Sequence, residues 1–148
     1  MRRLKTLALV ALLASSAAHA EFLDRVDLKP AIVSGFVSHH FNVHKRYNEN
    51  NYGLGYRFGH ADVIVGYYRN SDDKNSVYAA YEARWKLIDN LHLGVIAGAV
   101  TGYKVAMTPM LLPELVVQVG GLEVAATYAP KVHGQIPALA AVEARWAW

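Results

Sequence analysis

The chain has 148 residues, with 15 Lys and Arg against 12 Asp and Glu, and it contains no Cys. That length suits one domain, which must hold together without disulfides. Arg2, Arg3 and Lys5 lie in a leading stretch without acidic residues, so the remaining charges balance and nothing points to a nucleic-acid partner.

In chain order, residues 1–20 (MRRLKTLALVALLASSAAHA) combine a basic start, a short apolar stretch and the small-x-small pattern Ala18-His19-Ala20. A secretory signal peptide is expected there, followed by one domain over 21–148. No later run is long and apolar enough for a membrane helix. From Leu28 onward the dominant period is two. In Ser76–Leu87, Val77, Ala79, Tyr81, Ala83, Trp85 and Leu87 share one face, while Ser76, Tyr78, Ala80, Glu82, Arg84 and Lys86 share the other. In Leu91–Tyr103, aliphatic residues alternate with Gly94, Gly98 and Gly102, and at the end Val142, Ala144, Trp146 and Trp148 oppose Glu143 and Arg145.

This pattern predicts an all-β fold, an eight-stranded antiparallel transmembrane β-barrel of the bacterial outer membrane, because closure satisfies every backbone group in lipid. The expected strands are Ala31–His40, Gly53–Phe58, Asp62–Tyr68, a fourth ending at Leu87, Leu91–Tyr103, a sixth ending at Val119, Leu122–Tyr128 and an eighth ending at Trp148. Tight connections are expected at Gly59-His60, Ile88–Asn90 and Gly120-Gly121. Tyr67, Tyr103 and Tyr128 are placed in an aromatic girdle at the long-loop end, and Phe58, Trp85, Trp146 and Trp148 in one at the tight-turn end.

Assigning the remaining face to the lumen divides it by depth. The tight-turn half collects Arg57, Asp62, Glu82, Arg84, Lys86, Gln118, Glu123, Glu143 and Arg145, a plug of paired charges. The other half collects small and apolar residues, among them Tyr78, Gly98, Leu112 and Ala141, leaving a pocket that suits a ligand. At its mouth lies SHHFNVH, residues 38–44. On a strand, alternation and a rise of about 3.3 Å per residue separate the three histidines, so no metal site is expected. Alternation turns His39 outward with Val33 and Val37, and His40 inward with Ser34, Phe36 and Ser38. Tyr68-Arg69-Asn70-Ser71 ends a strand at the same rim. An imidazole, an amide and a hydroxyl there suit acyl transfer, with His40 as general base.

The chain resembles the PagP-type lipid A palmitoyltransferases, small outer-membrane barrels that move an acyl chain from a phospholipid to lipid A. The resemblance is carried by PMLLPELVVQVGGLEVAATYAP (109–130), with support from RYNENNYGLG (46–55), YRNS (68–71) and LHLGVIAGAVTG (91–102). It implies that Pro113 and Pro130 form a lateral gate, where missing backbone donors interrupt the ladder. It further implies a phospholipid donor, a lipid A acceptor, a membrane-embedded monomer and no metal or soluble cofactor. The chain departs from the pattern at Asn70-Ser71, where the family has Asp-Ser, although Asp72 and Asp73 lie close by. Glu82 stands where the family has a glycine at the pocket floor, which implies a shallower pocket or another acyl length. The first loop is shorter, and the family's N-terminal helix is reduced to EFLDRVDLK. The competing expectations are a non-catalytic structural or surface barrel, and a lipase or deacylase using the same rim residues.

Overall fold

In a computed structural model of the protein, residues 24–131 and 137–148 are described, and the signal peptide expected over 1–20 lies outside them. The described residues form β1 (Ala31–His40), β2 (Asn50–Phe58), β3 (Val63–Arg69), β4 (Asn75–Ile88), β5 (Leu91–Val100), β6 (Thr108–Val119), β7 (Leu122–Ala129) and β8 (Leu139–Ala147). Each strand pairs antiparallel with the next, and β8 returns to β1, closing the barrel. Short connections at one end include a 3-10 turn over Gly59–Ala61 and the Gly120-Gly121 turn, where Gly120 takes φ +60. The longer connections 41–49, 70–74 and 101–107 lie at the other.

Alternation sets which side chains face out. Val77, Tyr81 and Leu87 of β4 are exposed, whereas Ser76, Ala80, Glu82 and Arg84 are buried. Leu54, Tyr67, Leu111, Val119, Val142 and Trp146 extend this apolar outer face around the barrel. Tyr67 and Tyr128 are exposed as expected, and so are Phe58, Trp146 and Trp148. Trp85 is only half-exposed, because residues 24–26 add a strip beside β4. There β4 runs past its last β3 partner, Tyr81, and Asp24 and Val26 supply the missing backbone bonds to Lys86 and Arg84.

β1 corrects the expected alternation. A bulge between Ser34 and Phe36 shifts the register against both neighbours. Such an extra residue exchanges the two faces. Phe36, Ser38 and His40 face inward as expected, but below the bulge Val33 is buried and Ser34 points out, accepting the Ala144 N–H. Gly35 allows this, since a Cβ there would meet the Asn51 carbonyl oxygen at 2.3 Å.

The tight-turn half of the lumen is filled by ions. Arg57 grips Glu123 in a bidentate pair at 2.8 and 2.9 Å. Arg84 bonds Glu123 at 2.7 Å and also reaches Glu82 and Glu114. Arg145 binds Glu82 at 2.8 Å, Glu114 at 2.9 Å and Glu143 at 2.6 Å. Buried carboxylates and guanidiniums are tolerable in this form because each charge is paired and hydrogen-bonded. Three expected members do not belong. Asp62, in a turn, pairs instead with Arg25 at 2.8 Å, Lys86 is half-exposed and paired with Asp89, and Gln118 donates to the Gly120 carbonyl of the adjoining turn at 3.2 Å. Glu114 is the member that sequence reasoning missed. Gly94 opposite makes room for it, because a Cβ there would meet Glu114 Cγ at 2.7 Å.

Candidate functional site: an apolar cavity with a polar mouth

Above the ion cluster the barrel is open. A cavity of about 480 Å³ is walled by Phe36, Tyr78, Ile96, Leu112, Thr127 and Ala141, among others. That volume lies in the range of ordinary ligand pockets, roughly 300–1,000 Å³. The aromatic side chains do not close it. The Tyr78 ring lies flat against the β2–β3 wall, where Gly66 leaves space that a Cβ would take at 2.5 Å from the ring. Val33, Ile64, Ala80 and Ile96 pack into a small core beside it. Glu143, held by Arg145, supplies a polar point in the cavity wall.

One side of the cavity is a gap in the ladder. β6 and β7 pair from Val119–Leu122 up to Glu114–Thr127 and no further. From Thr108 to Pro113, β6 stays paired to β5 only, while Tyr128 and Ala129 stay paired to β8 only. The ladder stops at Pro113, which has no N–H to donate, and Pro109 repeats the defect. Leu111 is 70% exposed on the outer face yet also lines the cavity, as do Pro109 and Pro130. The cavity therefore reaches the outer surface sideways, through this seam.

Ser71, Tyr103 and Thr108 form the neck, since all three also line a second cavity of about 350 Å³ at the long-loop end. This vestibule is less apolar than the cavity below, with Lys45, Asp72 and Lys104 in its wall. Lys45 bonds Asp72 at 2.6 Å, and that carboxylate holds the ammonium above its ordinary pKa. Tyr103 was expected in the outer girdle, but the chain leaves β5 at Val100, and its hydroxyl meets that of Tyr68 at 3.0 Å across the mouth. Burial raises the Tyr103 phenol pKa, so it stays a neutral donor near pH 7.

Four expected site residues stand in the predicted places: Tyr78, Leu112 and Pro130 line the cavity, and Pro113 ends the ladder beside it. Glu82 and Gly98 do not line the cavity. Glu82 is fully buried in the ion cluster, as its place among the plug charges predicts, and is not at the cavity floor that the resemblance implies. Gly98 sits so close to β4 that a Cβ would meet the Ala79 carbonyl oxygen at 2.3 Å, and Val100 and Ile96 provide the wall there instead.

The histidines diverge. His39 faces outward, 3.4 Å from Glu49, and His44 is exposed in the loop. His40 is buried, stacked on Tyr47 at 4.4 Å, with its Nδ1 lacking a hydrogen-bond partner among the described residues. Tyr47 lines the vestibule; His40 lines neither cavity. Ser71 lines both.

Asn70 is not oriented toward an imidazole. Its Oδ1 accepts the Asp72 and Lys74 N–H groups, and its Nδ2 donates to the Gly102 carbonyl at 2.9 Å and to Ser76 Oγ at 3.0 Å. It is fully buried and staples two loops together. A carboxylate cannot make the two donations. Asn70→Asp, which restores the residue of the resembled family, is therefore expected to destabilise the protein by about 2 kcal/mol. Urea unfolding in detergent measures this; an unchanged midpoint would count against the staple.

No protein-family model and no curated protein matches this chain.

Proposed function

We propose that the chain is an outer-membrane enzyme that moves a fatty acyl chain from a phospholipid to lipid A. The observation that carries this is an apolar cavity opening sideways through an unpaired seam, in a barrel whose outer face is apolar all round. Such a face suits lipid, and the seam lets an acyl chain pass from a bilayer leaflet into the lumen. The sequence resemblance and the leading stretch over 1–20 favour the same location and chemistry.

In this reading the acyl chain lies in the cavity with its ester at the neck. A hydroxyl of lipid A attacks the ester carbonyl, a base takes its proton, and the lysophospholipid leaves with a proton returned to its oxygen. His40 is the base, reaching the vestibule when Tyr47 moves aside, and Ser71 is the polar group at the ester. One observation favours a second reading, a barrel that binds acyl chains without turning them over: His40 is packed behind Tyr47 and lines neither cavity.

The test uses purified protein in detergent and a phospholipid with labelled acyl chains, with and without lipid A. Label appearing on lipid A supports transfer. Release as free fatty acid regardless of lipid A identifies a deacylase. Label that binds without moving supports the second reading.

A further inference from the structure

The vestibule is a chemically different space from the cavity below it, and the two meet at three hydroxyls. Ser71, Tyr103 and Thr108 are shared by both linings. Thr108 is 6% exposed, and its Oγ1 is buried with no hydrogen-bond partner among the described residues. A buried hydroxyl without a partner is costly unless something meets it. Tyr103 presents a second, protonated hydroxyl at the same neck. A ligand that spans the two spaces is apolar below, carries acceptor oxygens at the neck, and is polar above.

Charge narrows the class of the polar part. The vestibule wall holds the Lys45 and Lys104 ammonium groups against the single Asp72 carboxylate. Asp72 is taken by Lys45 at 2.6 Å, while Lys45 also stands 5.0 Å over the Tyr47 ring. Lys104 has no acidic partner within salt-bridge distance among the described residues. The vestibule thus carries one uncompensated positive charge above a neck of hydroxyl donors, the complement of an anionic phosphate joined to an acyl ester.

We propose that this vestibule is the headgroup subsite for a phosphate-bearing acyl ester, with Lys104 opposing the phosphate and Thr108 and Tyr103 donating to the ester oxygens at the neck. This rests on reading the lower cavity as an acyl-chain site. A phosphate held here fixes how deep the ester sits, and so presents the same carbonyl to Ser71 each time.

Two lipids that differ only in the phosphate test it: 1-myristoylglycerol and 1-myristoylglycerol 3-phosphate, titrated as monomers into the full protein in an uncharged detergent at low salt. The phosphate-bearing lipid is expected to bind about tenfold more tightly, or about 1.4 kcal/mol. Lys104→Gln removes that advantage and leaves the neutral lipid unaffected, Lys104→Arg retains it, and added salt shrinks it. Thr108→Val weakens both esters about threefold, the size of one net hydrogen bond.

Equal affinities in the unaltered protein, or an advantage that survives Lys104→Gln, overturn the headgroup assignment. Unchanged ester binding in Thr108→Val overturns the neck. If inorganic phosphate displaces the phosphate-bearing lipid at that lipid's own affinity, the vestibule is a free-anion site and the proposal fails. If 1-myristoylglycerol binds and the phosphate adds nothing, only the headgroup proposal fails. If neither lipid binds, the acyl-chain reading fails with it.

Discussion

Replacing Arg145 with Met is expected to lower the stability of the barrel by about 3–5 kcal/mol, the cost of removing one partner from a buried ionic network. Arg145 bonds three carboxylates on three strands, Glu82 of β4, Glu114 of β6 and Glu143 of β8. Its guanidinium is fully buried, so water cannot replace it. Methionine fills similar volume but leaves those carboxylates facing one another across a narrow lumen. Urea unfolding in detergent at unchanged slope reports the loss. Adding Glu82→Gln to Arg145→Met should recover part of it, because the second change removes one of the stranded charges. A loss below about 1 kcal/mol would mean that the cluster is solvated and does not close the lumen.

The second large effect concerns the cavity. Ala141 is buried in its wall, on β8 between Ser38 of β1 and Thr127 of β7. Ala141→Trp places an indole in the open volume, where an acyl chain would lie, and touches neither the seam nor the neck. Overpacking normally costs about 1–3 kcal/mol, but here the added side chain enters empty space, so folding should survive. Acyl transfer is expected to fall at least about a hundredfold, or about 2.7 kcal/mol in the barrier. Undiminished transfer by the folded variant would show that the chain is bound elsewhere.

How far the sequence could be read follows from which properties alternate. The inward and outward faces of β4, β5 and β8 were legible residue by residue, because a period of two is a local property of the strand. Gly35 is where that reading breaks. A bulge exchanges the faces below it, and a lone glycine inside an apolar strand was its one local sign. Glu82 was legible as an inward member of the charged plug, but not its distance from the cavity floor, which depends on the stagger of all eight strands and is encoded by no single segment. Glu114 was legible by parity with Met110 and Leu112, but the neighbouring Pro113 drew the reading to the seam.

The loops were the least legible part. Tyr103 and Asn70 take their roles from turns without a period. Tyr103 leaves the wall to meet Tyr68, and Asn70 spends both donors and both acceptor directions on the two loops it joins and on Ser76 at the start of β4. Their residue types fit a mouth of acyl-transfer chemistry equally well. The histidine triplet was separable on the same strand geometry, since His39 and His40 do point to opposite sides.

The most direct measurement is mass spectrometry of lipid A from cells expressing the protein, compared with His40→Ala and Ala141→Trp at matched outer-membrane levels. One added acyl mass is expected with the unaltered protein, lost in both variants. Unchanged lipid A beside well-folded protein in the outer membrane would contradict the transferase, leaving a barrel that binds acyl chains without moving them.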